Sequence, residues 1–447
     1  MSAIQKAVTG SSAAQPFLPT WVLVLSFVAF IGLAFTVRAF VFPKDALDID
    51  FTSYWAAART AWSDDVSPYG TEAPRLAKER WLPDLKEPVP PFIYTPAALL
   101  LFGAVQWMEP PTASRAMMGL SLLAFAAMML FLVRTLDLGR SRRVAWASGL
   151  YTLLFVPVYE SIGLGQVNLV LTLLLLCVWH SHRTERAPVT GGFAAALAVF
   201  LKLHLGVLLL PVLLRRRLSL LGTFAGSLVV GVGLSAAVLP SSVWSDWLQH
   251  VVRASSIVQL PPGVPPIDVT RNLSIPGMTA RFLAPSGRSP LLDAPPWLAS
   301  TVPAVLCGLV LAWTAVVLWR SSRLPQSPER ADAEICLTLA ASFAISPLSW
   351  GHHLVFILPV LLLLLGRTLL EPGTPLLTRV LLGLALFLLL LHPYLLGPVG
   401  RPVAIAVATL RSLAALGVWA AASTWALSLA RTETHSTEAL VSAPPSV

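Results

Sequence analysis

A small set of polar residues interrupts an otherwise apolar chain, and their types suit acid–base and anion chemistry. Asp48 and Asp50 close the first apolar run, and Tyr54 follows in DFTSYW. Tyr94 stands in FIYTP, Gln166 and Asn168 in GLGQVN, and Lys202 and His204 in a K-x-H pair. Asn272, Ser274 and Arg281 lie in a later segment, and His352 and His353 end SPLSWGHH. A carboxylate in such a set can take a proton. Lysine and histidine can hold an anion. Plain structural readings stand beside these. Asp48 and Asp50 can cap a helix. Gln166 and Asn168 can bond one helix to another. Lys202 can snorkel, and the paired histidines can be a satisfied turn. Adjacent histidines are poorly placed to ligate one metal ion together, and no HExxH or Cys/His set is present. No cofactor is called for, although a divalent ion assisting an anion stays open.

The elements that must position these groups are membrane helices. Of 447 residues, 56% are hydrophobic and 12% charged, and mean hydropathy is +0.74. Soluble domains carry about 25% charged residues. The apolar runs are continuous and rich in Leu and Ala, without the alternation of a barrel strand. Runs of near-spanning length fall at 21–40, 113–133, 144–158, 167–180, 190–201, 203–214, 218–239, 297–319, 333–346, 352–366, 378–396 and 402–430. This predicts about twelve spans, the first retained rather than cleaved. The formal charge of +9 comes mostly from arginines flanking these runs. They read as orientation anchors and give no case for nucleic acid. Cys177, Cys307 and Cys336 read as small buried hydrophobes.

Basic connections at Arg134–Arg143, Arg183–Arg186, Arg215–Arg217, Arg320–Arg330 and Arg367–Arg379 face the cytoplasm under the positive-inside rule. Segment 92–108 is then expected not to cross, because it would invert the next connection; thirteen spans with 92–108 crossing is the alternative. Its Pro96, after Pro90 and Pro91, suits a re-entrant element. The runs 190–201 and 203–214 form a hairpin with Lys202 and His204 at its outer tip. Segments 41–91 and 240–296 lie outside, with DFTSYWAAARTAW an interfacial helix. Residues 1–430 form a single transmembrane domain, and 431–447 a disordered cytoplasmic tail. His180 and His182 fall on the cytoplasmic side as solvated turn residues. Only the basic connections set this threading, yet the unusual polar groups gather on one non-cytoplasmic face. Polar groups at membrane depth are costly and usually functional or paired. No Walker, GxGxxG or GxSxG motif stands in a strand–turn–helix context.

The order Asp50-x-x-x-Tyr54, SPYG (Ser67–Gly70), FIYTP (Phe92–Pro96), GQVN, K-x-H, Asn272-x-Ser274 with Arg281, and SPLSWGHH resembles glycosyltransferase family 87. The resemblance spans roughly residues 45–366. It implies the GT-C membrane fold, here an all-α polytopic bundle. It also implies a polyprenyl-phosphate-linked sugar donor, typically mannose, a lipid or glycan acceptor, and reaction on the outer face of the cytoplasmic membrane. Membrane lipids are the other partners. The family pattern selects Asp50 over Asp48 as catalytic residue. On this reading Asp50 takes the acceptor proton in an inverting single displacement. Lys202, His204, His352 and His353 hold the donor phosphate. Asp48, Tyr54, Tyr94, Gln166, Asn168, Asn272, Ser274 and Arg281 bind substrate. The rival readings are a lipid or glycolipid transporter or flippase and a non-catalytic assembly subunit. A transporter would carry coupling groups near the bilayer midplane rather than at one face.

Overall fold

The structure, a computed structural model, describes residues 31, 49–63, 66–83, 85, 88–135, 142–283, 292, 294–370, 374, 376–391 and 400–442. The expected first span (save Ile31) and Asp48 lie outside them. The helices are α1 (Ile49–Ser63), α2 (Glu72–Arg80), α3 (Pro96–Phe102), α4 (Pro110–Thr135), α5 (Arg142–Leu154), α6 (Val156–Gly163), α7 (Asn168–Thr184), α8 (Pro188–Leu201), α9 (Leu209–Leu214), α10 (Leu218–Val238), α11 (Val243–Trp247), α12 (Ile275–Leu283), α13 (Pro296–Ser322), α14 (Pro328–Ile345), α15 (Leu358–Leu370), α16 (Leu376–Leu390) and α17 (Arg401–Ser442). Two 3-10 segments, Leu203–Leu208 and Gly351–Ile357, precede α9 and α15. Among the described residues the sole β contact is an isolated antiparallel bridge between Asn272 and Trp350. The chain is an all-α polytopic membrane protein.

Five helices are long and apolar enough to cross a membrane, or six if the bent pair α6–α7 counts as one. The twelve expected spans are therefore not reached among the described residues. Prolines and glycines cut the apolar runs into shorter pieces. Run 144–158 breaks at Phe155, ahead of Pro157. Run 203–214 is a 3-10 turn followed by six helical residues. Such backbone at membrane depth is tolerated where protein or a cavity surrounds it. Segment 92–108 contains only the seven residues of α3 before a turn. That helix rises about 10 Å against a hydrocarbon core of about 30 Å, so it does not span.

Three helices run between two chemically distinct ends. At one end of α7, α8 and α14, two basic connections meet three acids, of which Asp332 and Glu334 are buried and Glu185 is exposed. Arg183 pairs with Asp332 at 2.9 Å, Arg215 with Glu334 at 2.5 Å, and Arg217 with Glu185. His182 is here too, 1% exposed and 2.8 Å from Glu334, so it is a buried hydrogen-bond partner rather than the solvated residue expected. At the other end the same helices deliver Asn168, Lys202 and Ser346. Helix α1 forms where DFTSYWAAARTAW predicts one, but Phe51–Ala58 are all buried and not just one stripe. Helix α17 continues to Ser442 through most of the segment expected to be disordered; residues 443–447 lie outside the described set.

Candidate active site

The turn GLGQVN builds the first part of the site. Helices α6 and α7 meet at 116°, and Gly165 makes the corner with φ +60. A side chain is sterically disfavoured in that conformation. It would also collide, since an added Cβ would lie 2.8 Å from Cβ of Phe51. Such closeness lets the Phe51 amide donate to the Leu164 carbonyl at 3.2 Å, fastening the start of α1 to the turn. Asp50 and Gln166 thereby meet. The Gln166 amide donates to Oδ2 of Asp50 at 2.6 Å, and its Oε1 accepts from the Tyr54 hydroxyl at 2.5 Å. Tyr54 also pairs with the Tyr94 hydroxyl at 3.0 Å. Burial, then the neighbouring Tyr94 and Asp50, push the Tyr54 hydroxyl well above its usual range. Tyr54 therefore stays a neutral donor.

The opposite wall comes from the break after α8. Lys202 is extended (φ −149, ψ 102) and ends the helix, with the 3-10 turn following at once. Its Nζ is 3.0 Å from Nε2 of His353 and lies over the rings of Tyr94 and Phe356 at 5.8 and 5.5 Å. His353 Nδ1 lies 3.2 Å from the Leu348 carbonyl. The Trp350 amide donates to the same nitrogen at 3.2 Å, so Nδ1 faces both a donor and an acceptor. Lys202 lies between two helical segments and belongs to neither. Burial pulls its ammonium down to about 7, against the opposing charge of Asp50. Thr95 is held extended before Pro96. Its hydroxyl donates to the Phe200 carbonyl at 2.8 Å, tying α3 to the end of α8.

These groups line one cavity of about 350 Å³, which contains Asp50, Tyr54, Tyr94, Gln166, Lys202, His204, His352 and His353. Ring contacts bind the histidine pair together, with centroids 4.6 Å apart. The cavity also takes in Ser255, Leu260, Val264 and Pro265, which the sequence did not single out. Their only signal is the proline cluster PPGVPP, which carries no chemistry of its own. Among the described residues no group of three or more His, Cys, Asp or Glu side chains is arranged to hold a metal ion.

Four expected substrate contacts stand elsewhere. Asn272 donates to the carbonyls of Ile267 and Pro347 at 3.0 and 2.8 Å, and its Oδ1 accepts from the Ser349 amide and the Ser274 hydroxyl. Arg281 donates to the Asn272 carbonyl at 2.6 Å and to the Ser412 hydroxyl at 3.0 Å. These contacts brace the SPLSW turn behind the cavity and leave no hydrogen-bonding atom of Asn272 facing it. Asn168 is fully buried beside Gln166, and neither atom of its amide end has a hydrogen-bond partner among the described residues. None of Asn168, Asn272, Ser274 and Arg281 lines the cavity.

An all-helical membrane protein with a carboxylate and a lysine–histidine pair in one cavity is the class defined so far. The model of glycosyltransferase family 87 matches residues 92–347, more than half of the chain. The chain belongs to glycosyltransferase family 87. That match includes Tyr94, Gln166, Lys202 and His204, whereas Asp50, Tyr54, His352 and His353 lie beyond its ends. The chain is 28% identical over 291 residues to a polyprenol-phosphate-mannose-dependent alpha-(1-2)-phosphatidylinositol mannoside mannosyltransferase of Mycobacterium tuberculosis, covering 61% of this chain and 62% of the relative. A Mycolicibacterium smegmatis enzyme of the same description is 28% identical, covering 61% of each. An alpha-(1-2)-phosphatidylinositol pentamannoside mannosyltransferase of M. smegmatis, also polyprenol-phosphate-mannose-dependent, is 29% identical, covering 62% and 60%. The chain thus spans about six-tenths of the length of the curated relatives it matches. No solved structure matches it.

Proposed function

We propose that the chain is a membrane glycosyltransferase that moves a hexose, mannose by its relatives, from a polyprenyl-phosphate donor to a lipid or glycan hydroxyl. The observation that carries this is the placement of Asp50 and Lys202 on one cavity, each held by its own hydrogen-bond partner. Asp50 takes the proton of the acceptor hydroxyl as its oxygen bonds to the anomeric carbon. The bond from that carbon to the phosphate oxygen breaks, and its electron pair leaves with the polyprenyl phosphate. Lys202 offsets the charge on the departing phosphate, and His204, His352 and His353 stand beside it as hydrogen-bonding groups. The sugar inverts, since one carboxylate serves a single displacement. Tyr54, Tyr94 and Gln166 line the space left for the sugar. Phe200, Leu201 and Leu203 form an apolar margin beside Lys202, suited to the isoprenoid end of the donor. The site opens to the exterior of the cytoplasmic membrane, because the basic connections gather at the opposite end of the same helices.

The test is transfer of labelled sugar from polyprenyl-phosphate mannose in membranes. The Asp50→Asn variant, at normal abundance, loses turnover by about 100-fold or more; transfer at the wild-type rate would remove the proposal. Sidedness is read separately with Ser256→Cys, a cavity-lining position exposed to solvent. Labelling by an impermeant thiol reagent from outside supports the orientation, and labelling only from the cytoplasm reverses it.

A further inference from the structure

A second cavity of about 470 Å³ adjoins the first, and Pro91, Ile93, Val251 and Pro261 line both. We infer that this second cavity receives the part of a glycan acceptor that lies behind its reacting sugar; the inference rests on the glycosyl-transfer reading. Its far wall is the SPYG motif, to which the proposed reaction gives no role. Ser67, Tyr69 and Thr71 line it together with His250. Gly70 holds φ +87 and turns its open side to the His250 ring, 3.7 Å from where a Cβ would stand.

The chemistry of the wall selects a neutral polyol. Hydroxyls and an imidazole can exchange hydrogen bonds with sugar hydroxyls, and the Tyr69 and Phe92 rings, 5.8 Å apart, supply apolar faces. No lysine or arginine lines the cavity, while Glu72 does. A phosphate would find no cation among the lining residues, and the Glu72 carboxylate there is already paired with Arg75 at 2.6 Å, so the donor headgroup belongs with Lys202 in the first cavity. The shared residues set the two spaces side by side, and on this inference consecutive sugars of one chain occupy both. The two are also linked by hydrogen bonds. Tyr69 donates to the Tyr94 carbonyl at 2.9 Å, and the Tyr94 hydroxyl meets Tyr54, which donates to the amide holding Asp50. A glycan seated against Tyr69 therefore bears on the wall that places the base.

The experiment compares octyl mannoside and octyl dimannoside as acceptors, with labelled polyprenyl-phosphate mannose as donor. The wild type favours the dimannoside by about ten-fold in kcat/KM, the size expected of one or two added hydrogen bonds. Thr71→Trp blocks the second cavity, and His250→Ala removes a polar partner. Thr71 makes no side-chain capping bond to α2, so this exchange spares the helix. Both variants bring the ratio close to one, leaving the monomannoside rate and the donor KM unchanged. An unchanged ratio in both variants, or an equal fall for both acceptors, overturns the inference while glycosyl transfer stands. No transfer to either mannoside by folded wild-type protein removes the glycosyl-transfer reading and this one together.

Discussion

The Gln166 side chain donates to the Asp50 carboxylate at 2.6 Å, across a sequence separation of 116 residues. The same amide accepts from Tyr54 at 2.5 Å, which fixes its orientation, since only the amide nitrogen can donate to a carboxylate. A carboxylate offers about four lone-pair sites, so this one donation is compatible with a further bond from a substrate hydroxyl. Gln166 is thus a positioning residue that aims the base, and Tyr54 sets the position of Gln166.

Removing that amide gives a test of aim separate from substrate binding. Gln166→Leu lowers kcat by about 10- to 100-fold, since loss of a group that orients a reacting residue costs on this order. Gln166→Glu goes further by placing a second carboxylate against Asp50. The two share a proton, and the base is largely protonated at neutral pH. Its transfer rate then recovers as pH rises, whereas the leucine variant shows no such recovery. Stopped assays of labelled transfer from pH 6 to 9 separate the two.

The corner glycine gives a second prediction. Gly165→Ala brings a left-handed residue and a contact at 2.8 Å to Phe51, costing about 1–3 kcal/mol. Relief by moving α1 away from the turn separates Asp50 from Gln166, so activity falls more than abundance does. Gly119→Ala, where an added Cβ meets nothing within 4 Å, leaves both unchanged. Thermal stability in detergent alongside turnover reads the comparison.

Much of this site was legible because polar residues stand out in an apolar chain. Asp50, Gln166, Lys202 and the histidine pair each interrupt a Leu- and Ala-rich background, and each lines the cavity. Asn272 and Arg281 interrupt it just as plainly, yet spend their bonds on backbone carbonyls. Composition cannot separate these cases, because backbone acceptors have no residue type. His182 reads as a solvated turn because its partner Glu334 is 152 residues away. The wall around Leu260–Pro265 left no trace, since it contributes shape rather than functional groups. Span number was the least legible quantity. Hydropathy reports apolar length, while Gly165, Lys202 and Pro157 decide where a helix stops.

Lys202 predicts a pH dependence with a definite sign. Its cation is needed for the phosphate, and burial sets its pKa at about 7. The charged form is complete below that value and lost as pH rises through it. The donor KM therefore increases above pH 7, while kcat holds to higher pH because the bound phosphate stabilises the ammonium. Lys202→Arg keeps its charge throughout, and its donor KM stays level over the same range. A wild-type donor KM that is flat from pH 6 to 9 would contradict the assignment.

The far end of the bundle should govern stability and not chemistry. Glu334 is 1% exposed and is bound by His182 at 2.8 Å, Arg215 at 2.5 Å and Ser321 at 2.6 Å. Its partners come from α7, the end of α9 and α13, so one carboxylate joins three elements to α14. Breaking a buried pair by deleting one partner costs about 3–5 kcal/mol, because the charge left behind stays out of water. Glu334→Ala strands Arg215 and lowers the detergent melting temperature steeply. Arg183→Ala leaves Asp332 still accepting from Trp179 Nε1 at 2.8 Å, so part of the loss is offset and the drop is smaller. Neither change touches a residue that lines the cavity. Folded protein of either variant therefore keeps the wild-type donor KM. A raised KM with an unchanged melting temperature would instead place this ionic cluster in the reaction.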